Sequence, residues 1–474
     1  MCCRKFSSRL VCFCFALIVC CSAAAWAAVT LPAVFDDNMV LQRGQSVPVW
    51  GRAAPGEEVS VSIAGQTKTT KADDGGCWKL TLDELKTGEP LTMTVKGSSG
   101  SAIIFQNVLV GEVWLCSGQS NMVWGLAASE NGQEAAAKAD HPRIRLFYVP
   151  ETKTLAPAKN VDAAWHLCTP QAVDALGRGS FSALAYYFGR CLNEELDVPV
   201  GLIQAAWGGT PAEFWTSRAA LDADPALKPL IYKADSSSLY NGMIAPLAPF
   251  AIRGAIWYQG ESNVARAHQY RTLFPALIAD WRGAWGQGDF PFGFVQLAPF
   301  RYGGQNPECC AELRDAQLFT LKTVANTGMA VTTDIGNVAD IHPRNKLDAG
   351  KRLALWALAT VYGRDVVYSG PIYKSMTVEG NKIRLAFEHL GGGLIASDGQ
   401  PLRDFVIAGE DRKFVPATAE IDGDTIVVHA EEVARPAAVR FAWRDDAAPN
   451  LANKAGLPAS PFKTDQWSGV TEGK

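Results

Sequence analysis

The period of the hydrophobic pattern changes twice along the 474-residue chain, and each change limits what the surrounding segment can become. Between residues 28 and 107, apolar and polar residues alternate in short runs, as at 59–63, 78–82 and 91–95. Turn-forming stretches such as Asp73-Asp74-Gly75-Gly76 separate them. Side chains of a strand point alternately to its two faces, so this pattern marks half-buried strands, and several at close spacing mark a small β-sandwich. From 108 to 364 the alternation disappears. Apolar runs at 108–116, 200–206, 254–258, 292–297 and 329–333 are separated by segments of helical period at 182–195, 270–285, 312–324 and 346–362. Continuously apolar strands alternating with helices belong to a mostly parallel sheet with both faces covered. Past 365 alternation returns, at 382–387, 425–429 and 438–443, and predicts a second β-sandwich running to residue 474. The expected fold class is therefore α/β, with a central domain at 108–364 between β modules at 28–107 and 365–474. No Gly/Ser- or Pro-rich linker separates the three, so the modules are expected to pack on the centre.

Residues 1–27 stand outside this scheme. Arg4, Lys5 and Arg9 precede a short apolar run at 10–21, and Ala25-Trp26-Ala27 follows as a small-x-small cleavage signature. The run is too short to span a bilayer core of about 30 Å, so it reads as a secretory signal cleaved near Ala27. The alternative is a lipid anchor at Cys20 or Cys21, disfavoured because Val19 and Cys20 are not the small residues such cleavage takes. The chain is thus expected to be exported, either to a periplasm or outright. Losing the leader takes the formal net charge from −4 to −7 and removes six of twelve cysteines. A mature chain with a mildly acidic balance lacks the basic stripe that nucleic acid needs. The remaining cysteines, including Cys168, Cys191, Cys309 and Cys310, are too sparse for a disulfide scaffold, although Cys168 and Cys191 are a candidate pair after export.

Chemistry concentrates just past the central strands, where open α/β sheets bind their ligands. The run at 113–116 leads into Ser117-Gly118-Gln119-Ser120-Asn121-Met122. A serine at that position either caps a helix or stands exposed as a nucleophile. Met122 occupies the place of the second glycine of a G-x-S-x-G elbow, so that motif is absent. The run at 200–206 leads into Trp207-Gly208-Gly209-Thr210, where paired glycines allow a backbone N–H close to a ligand. The run at 254–258 leads into Gln259-Gly260-Glu261-Ser262-Asn263, a dense polar cluster in which Gln259 carries an amide donor. A serine nucleophile needs a base. Of six histidines, His342 stands out, in a loop with Asp340 two residues before it and Asp334 further upstream. His141, His166, His268, His389 and His429 have no comparable setting.

Assembled, these pieces resemble the sialate O-acetylesterase family of the SGNH hydrolase superfamily. The resemblance rests on the stretches 35–43, 117–122, 181–183, 207–210, 239–243, 257–263, 340–343, 450–451 and 456–462, in order along the chain. It implies a flavodoxin-like SGNH core and hydrolysis of acetyl esters on sugars, above all O-acetylated sialic acid. It also implies Ser120 as nucleophile, His342 as base, and an oxyanion hole lined by Gly209 and Gln259 with the Ser120 N–H. The superfamily commonly has Asp three residues before the histidine, where this chain has Ala339. Asp340 is therefore the orienting carboxylate of choice, Glu261 and Asp334 stand as alternatives with Asn263 as a further support, and a Ser–His dyad remains open. The implied partner is an acetylated glycan, with no cofactor or metal. Two rival readings are an acetylxylan or other polysaccharide acetylesterase and a non-catalytic glycan-binding protein on the same scaffold.

Overall fold

The computed structural model describes residues 28–474; the expected leader and its expected cleavage site near Ala27 lie outside the described residues. Its centre is a sheet of β1 (Ala102–Gly118), β2 (His141–Tyr148), β3 (Trp165–Cys168), β4 (Val200–Ala206), β5 (Gly254–Tyr258), β6 (Phe292–Val295) and β7 (Thr327–Ala330). The spatial order is β7-β6-β5-β1-β4-β2-β3, parallel except for the β2–β3 pair. The strands β4 and β5 have the bounds expected from their apolar runs, and each is buried along its whole length. The pair β2–β3 was not expected.

Helices cover both faces, as the continuous apolarity of the strands requires. On one face Trp114 packs edge-on against Phe188 of α1 (Ala183–Leu196) and Trp356 of α4 (Lys346–Thr360). On the other, Trp257, Phe292 and Phe294 meet Phe274 and Trp281 of α2 (Ala267–Trp285), with α3 (Glu308–Thr323) beside it. The register pairs Gly254 with Trp114, so Trp257, three residues on, faces the opposite side.

The N-terminal strands show the expected alternation: Glu58–Ile63 and Cys77–Leu82 bury every second residue. The boundary expected at 107/108 is not a linker. The single strand β1 pairs with Leu91–Gly97 through its first half and with β4 and β5 through its second. It bends at Asn107, whose φ of 55° lies in the left-handed region. The C-terminal region holds two four-stranded antiparallel sheets and a two-stranded one. Its strand Ala438–Phe441 is buried at all four positions rather than alternating.

The C-terminal region is bolted to the centre. The fully buried Arg314 of α3 donates to the carbonyls of Leu297 and Ala298 at 2.9 and 3.1 Å, and to those of Arg444 and Asp445 at 2.8 and 3.1 Å. The carboxylate of Glu312 accepts from the N–H groups of Val470 and Thr471. Cys168, Cys191, Cys309 and Cys310 are all free thiols, so the candidate pair is not bridged. Among the described residues, no helix is long and apolar enough to cross a membrane.

Candidate active site

Three strands end level with one another. Gly118 at the end of β1 is in register with Ala206 of β4 on one side and Tyr258 of β5 on the other. The turns that follow therefore leave the sheet side by side, although about 90 and 140 residues separate the neighbouring ones in sequence. They are also tied together: Trp207 N–H donates to Gly118 O at 3.1 Å and Gln119 N–H to Tyr258 O at 2.9 Å. Gly118 is required here, since its φ is 140° and a Cβ would sit 2.2 Å from Tyr258 O.

Ser120 opens the short helix Ser120–Val123, and Gln119 holds the capping position without a side-chain bond. Ser120 is thus not the cap. It is half-buried, and Gly208 lies close against it, at 3.3 Å from an ideal Gly208 Cβ to Ser120 Cβ. Gly209 turns with φ 71° and is exposed. Among the described residues, neither the Ser120 nor the Gly209 N–H has an acceptor, so both donors are available to a ligand at the sheet edge. Ser120 Oγ likewise has no hydrogen-bond partner there.

His342 stands in the loop between β7 and α4. Asp340 Oδ1 accepts the His342 backbone N–H at 2.9 Å and lies 3.6 Å from Nδ1. The imidazole stacks on Trp124, with centroids 5.0 Å apart and planes 20° from parallel. Trp124 closes the helix that Ser120 opens, so the His342 and Ser120 segments share this contact. The two other carboxylates are engaged elsewhere: Asp334 pairs through both oxygens with Arg352 at 2.7 and 2.6 Å, and Glu261 Oε1 accepts from Asn121 Nδ2 at 2.5 Å. Burial, and then the Lys346 charge, push the His342 pKa down, while Asp340 opposes them. A base must be neutral, so the acid limb of kcat/KM is expected below the ordinary imidazole value of about 6.5. A pH–rate profile rising only above that value would contradict this.

Gln259 is not where an oxyanion donor is expected. It is fully buried, and its Nε2 already donates to Thr210 O at 3.2 Å and Asn263 Oδ1 at 2.7 Å. Its Oε1 accepts from Tyr270 Oη at 3.0 Å. Both amide hydrogens are spent inside the protein, and Gln259 reaches the site through the Thr210 carbonyl, beside Gly209. Asn263 extends the same network: Oδ1 accepts from Ala212 N–H at 3.0 Å and Nδ2 donates to buried Glu213 at 3.0 Å. Glu213 is in turn paired with Arg266 at 2.6 Å. The glycine turn is therefore mounted on a rigid polar lattice.

Two side chains escaped the sequence reading. Asn121 and Lys346 meet behind Ser120, with Lys346 Nζ donating to Asn121 Oδ1 at 2.5 Å. Lys346 is 1% exposed, and burial lowers its pKa to about 7. The available signal was a lysine at the first position of a helix, where the dipole disfavours a cation.

The family described as "carbohydrate esterase, sialic acid-specific acetylesterase" matches residues 110–358. The sialate O-acetylesterase of Mus musculus is 33% identical over 409 residues, covering 72% of this chain and 75% of its own length. That of Homo sapiens is 31% identical over 491 residues, covering 92% of each. The chain belongs to the sialate O-acetylesterase family. A solved carbohydrate acetylesterase from Xanthomonas citri superposes with a TM-score of 0.86 at 41% identity, over 93% of this chain and all of that one. The segment matched by the sialate O-acetylesterase family contains all three turns and His342. The chain is an esterase of carbohydrate O-acetyl groups.

Proposed function

We propose that the enzyme removes acetyl groups from sugar hydroxyls, foremost from O-acetylated sialic acid, through an acyl-enzyme on Ser120. The observation that carries this reading is the unpaired N–H groups of Ser120 and of Gly209, whose neighbour Gly208 lies against Ser120, with the His342 loop tied to the same helix through Asn121. Ser120 Oγ attacks the acetyl carbonyl as His342 takes its proton. Asp340, 3.6 Å from Nδ1, is the carboxylate placed to orient the ring, which leaves Nε2 as the basic nitrogen. The oxyanion of the tetrahedral intermediate is held by the two N–H groups. The sugar oxygen leaves with the proton from His342, and water then releases acetate by the same steps. Gln259 and Asn263 serve as positioning residues that keep the Gly209 turn preorganised.

The fold reading behind this is a flavodoxin-like SGNH core. With the edge pair β2–β3 set aside, the remaining strands read 2-1-3-4-5 in chain order, which supports it. The flanking parts at 28–107 and 365–474 are read as β-sandwich modules. For the second, Tyr373 stacks on Phe462 at 4.7 Å and Phe387 meets Phe462 at 5.8 Å, contacts between its two four-stranded sheets.

Acetate release from O-acetylated sialic acid and from acetylated xylo-oligosaccharide tests the substrate. Release from the sialic acid is expected. Release only from the xylo-oligosaccharide would keep the mechanism and replace the substrate, whereas glycan binding with no ester cleaved would overturn both. The orienting carboxylate is tested separately. Asp340→Asn is expected to lower kcat by about 10²-fold or more. Asp334→Asn, which disturbs an ion pair with Arg352 instead, should change kcat less than tenfold. The reverse order would transfer the role to Asp334.

A further inference from the structure

Asn121 joins four segments that meet behind the nucleophile. It follows Ser120 directly. Its Nδ2 donates to Glu261 Oε1 at 2.5 Å, in the turn after β5, and to Ile341 O at 3.0 Å, one residue before His342. Its Oδ1 accepts from Lys346 Nζ at 2.5 Å, at the start of α4. Every polar atom of the Asn121 side chain is thus committed. The Lys346 ammonium also lies 5.3 Å from the Tyr258 ring and 5.9 Å from the Trp124 ring, the ring on which His342 stacks. A methionine would fill this space without the cost of desolvating an amine. What lysine adds is a hydrogen-bond donor and a charge four residues from the base.

We propose that Lys346 is a positioning residue of the esterase. It locks Asn121 across the Ser120 turn, the Glu261 turn and the His342 loop, and its charge biases His342 toward the unprotonated state. This rests on the reading of Ser120 and His342 given above. The groups facing the pair are Asp340 in the loop, Glu261 beyond Asn121, Tyr258 at the end of β5, and Tyr302 and Cys310 around Glu261. Glu261 is held above the ordinary carboxylate range by burial, and its Oε2 has no partner. Like charges disfavour each other. As the pH falls through 7, Lys346 takes up its proton and opposes protonation of His342. Removing the lysine therefore raises the His342 pKa and moves the acid limb of kcat/KM to higher pH.

The test compares the full-length enzyme with Lys346→Met and Lys346→Gln, using an aryl acetate as probe. Both variants are expected to shift the acid limb upward by about half a unit or more. Lys346→Gln keeps a donor for Asn121 and is expected to retain more of the plateau kcat than Lys346→Met. Folded variants with the limb at its wild-type position would overturn the proposal and leave Lys346 a packing residue. Should neither variant fold, wild-type enzyme labelled at lysine Cε decides by NMR. A buried lysine resonance that is protonated over the pH range of the acid limb is expected, and one that stays neutral through that range would overturn the proposal. Near-native turnover by Ser120→Ala would instead remove the underlying reading, whatever the lysine does.

Discussion

Ser120→Ala is expected to lower kcat for acetyl ester cleavage by a factor on the order of 10⁴ or more, with no loss of thermal stability. The size follows from the chemistry: without Oγ no acyl-enzyme forms, and the remaining N–H donors can only polarise the carbonyl toward water. The neutrality for folding follows from the geometry. Ser120 Oγ bonds to nothing among the described residues, and Gln119 rather than Ser120 holds the capping position. The alanine variant therefore loses no internal contact. Acetate release and a melting curve on the same preparation check both halves. A variant with near-native turnover would displace Ser120 from the mechanism, and one with a much lower Tm would give it a structural role.

Arg314→Met is expected to cost about 3–5 kcal/mol of stability, because buried carbonyl acceptors lose their donor at about 1–3 kcal/mol each. The side-chain volume is roughly kept, so the loss comes from the four carbonyls of Leu297, Ala298, Arg444 and Asp445 that the guanidinium bridges. Those of Leu297, Ala298 and Arg444 are left to desolvation at about 1–3 kcal/mol each, less whatever relaxation recovers, while Asp445 O keeps the Phe300 N–H. Two of the four belong to the segment after β6 and two to the C-terminal region, so the weakening falls on their junction. That junction continues toward His342: Phe300 N–H donates to Asp445 O at 3.0 Å, and Arg301 N–H to Val338 O at 3.1 Å in the His342 loop. A drop in denaturant midpoint checks the prediction, and an unchanged midpoint would mean that the junction holds without Arg314.

Period and polarity made most of the central unit legible. The runs at 200–206 and 254–258 are strands with those bounds because uninterrupted apolarity can only be buried on both faces. The missed strand His141–Tyr148 opens with His-Pro and carries Arg143 and Arg145, which read as surface. Arg145 is nevertheless 3% exposed, its guanidinium folded back on the Pro142 and Ile144 carbonyls, a solution invisible to any pattern of hydrophobicity. In the candidate site, the segments that carry Ser120, Gly209 and His342 were legible as polar turns past apolar strands. The partners of Gln259 were not, since residue type reveals an amide donor but not which way it points. Asn121 and Lys346 lie 225 residues apart, and only the folded sheet shows that they touch.

The strand Ala102–Gly118 decides how this chain can be cut. At about 3.3 Å per residue it extends roughly 55 Å, starting beside the N-terminal hairpins and ending at Gly118, two residues before Ser120. A truncation at residue 107 would divide one strand between two fragments and leave an unpaired edge on each, the template for aggregation. Nicking there and recombining the pieces would require the halves of a single ladder to find their register anew. A shortened catalytic fragment that begins at 108 is therefore the wrong unit for expression, circular permutation or fusion. The N-terminal strands travel with Ser120, because they are the near end of the beam that carries it.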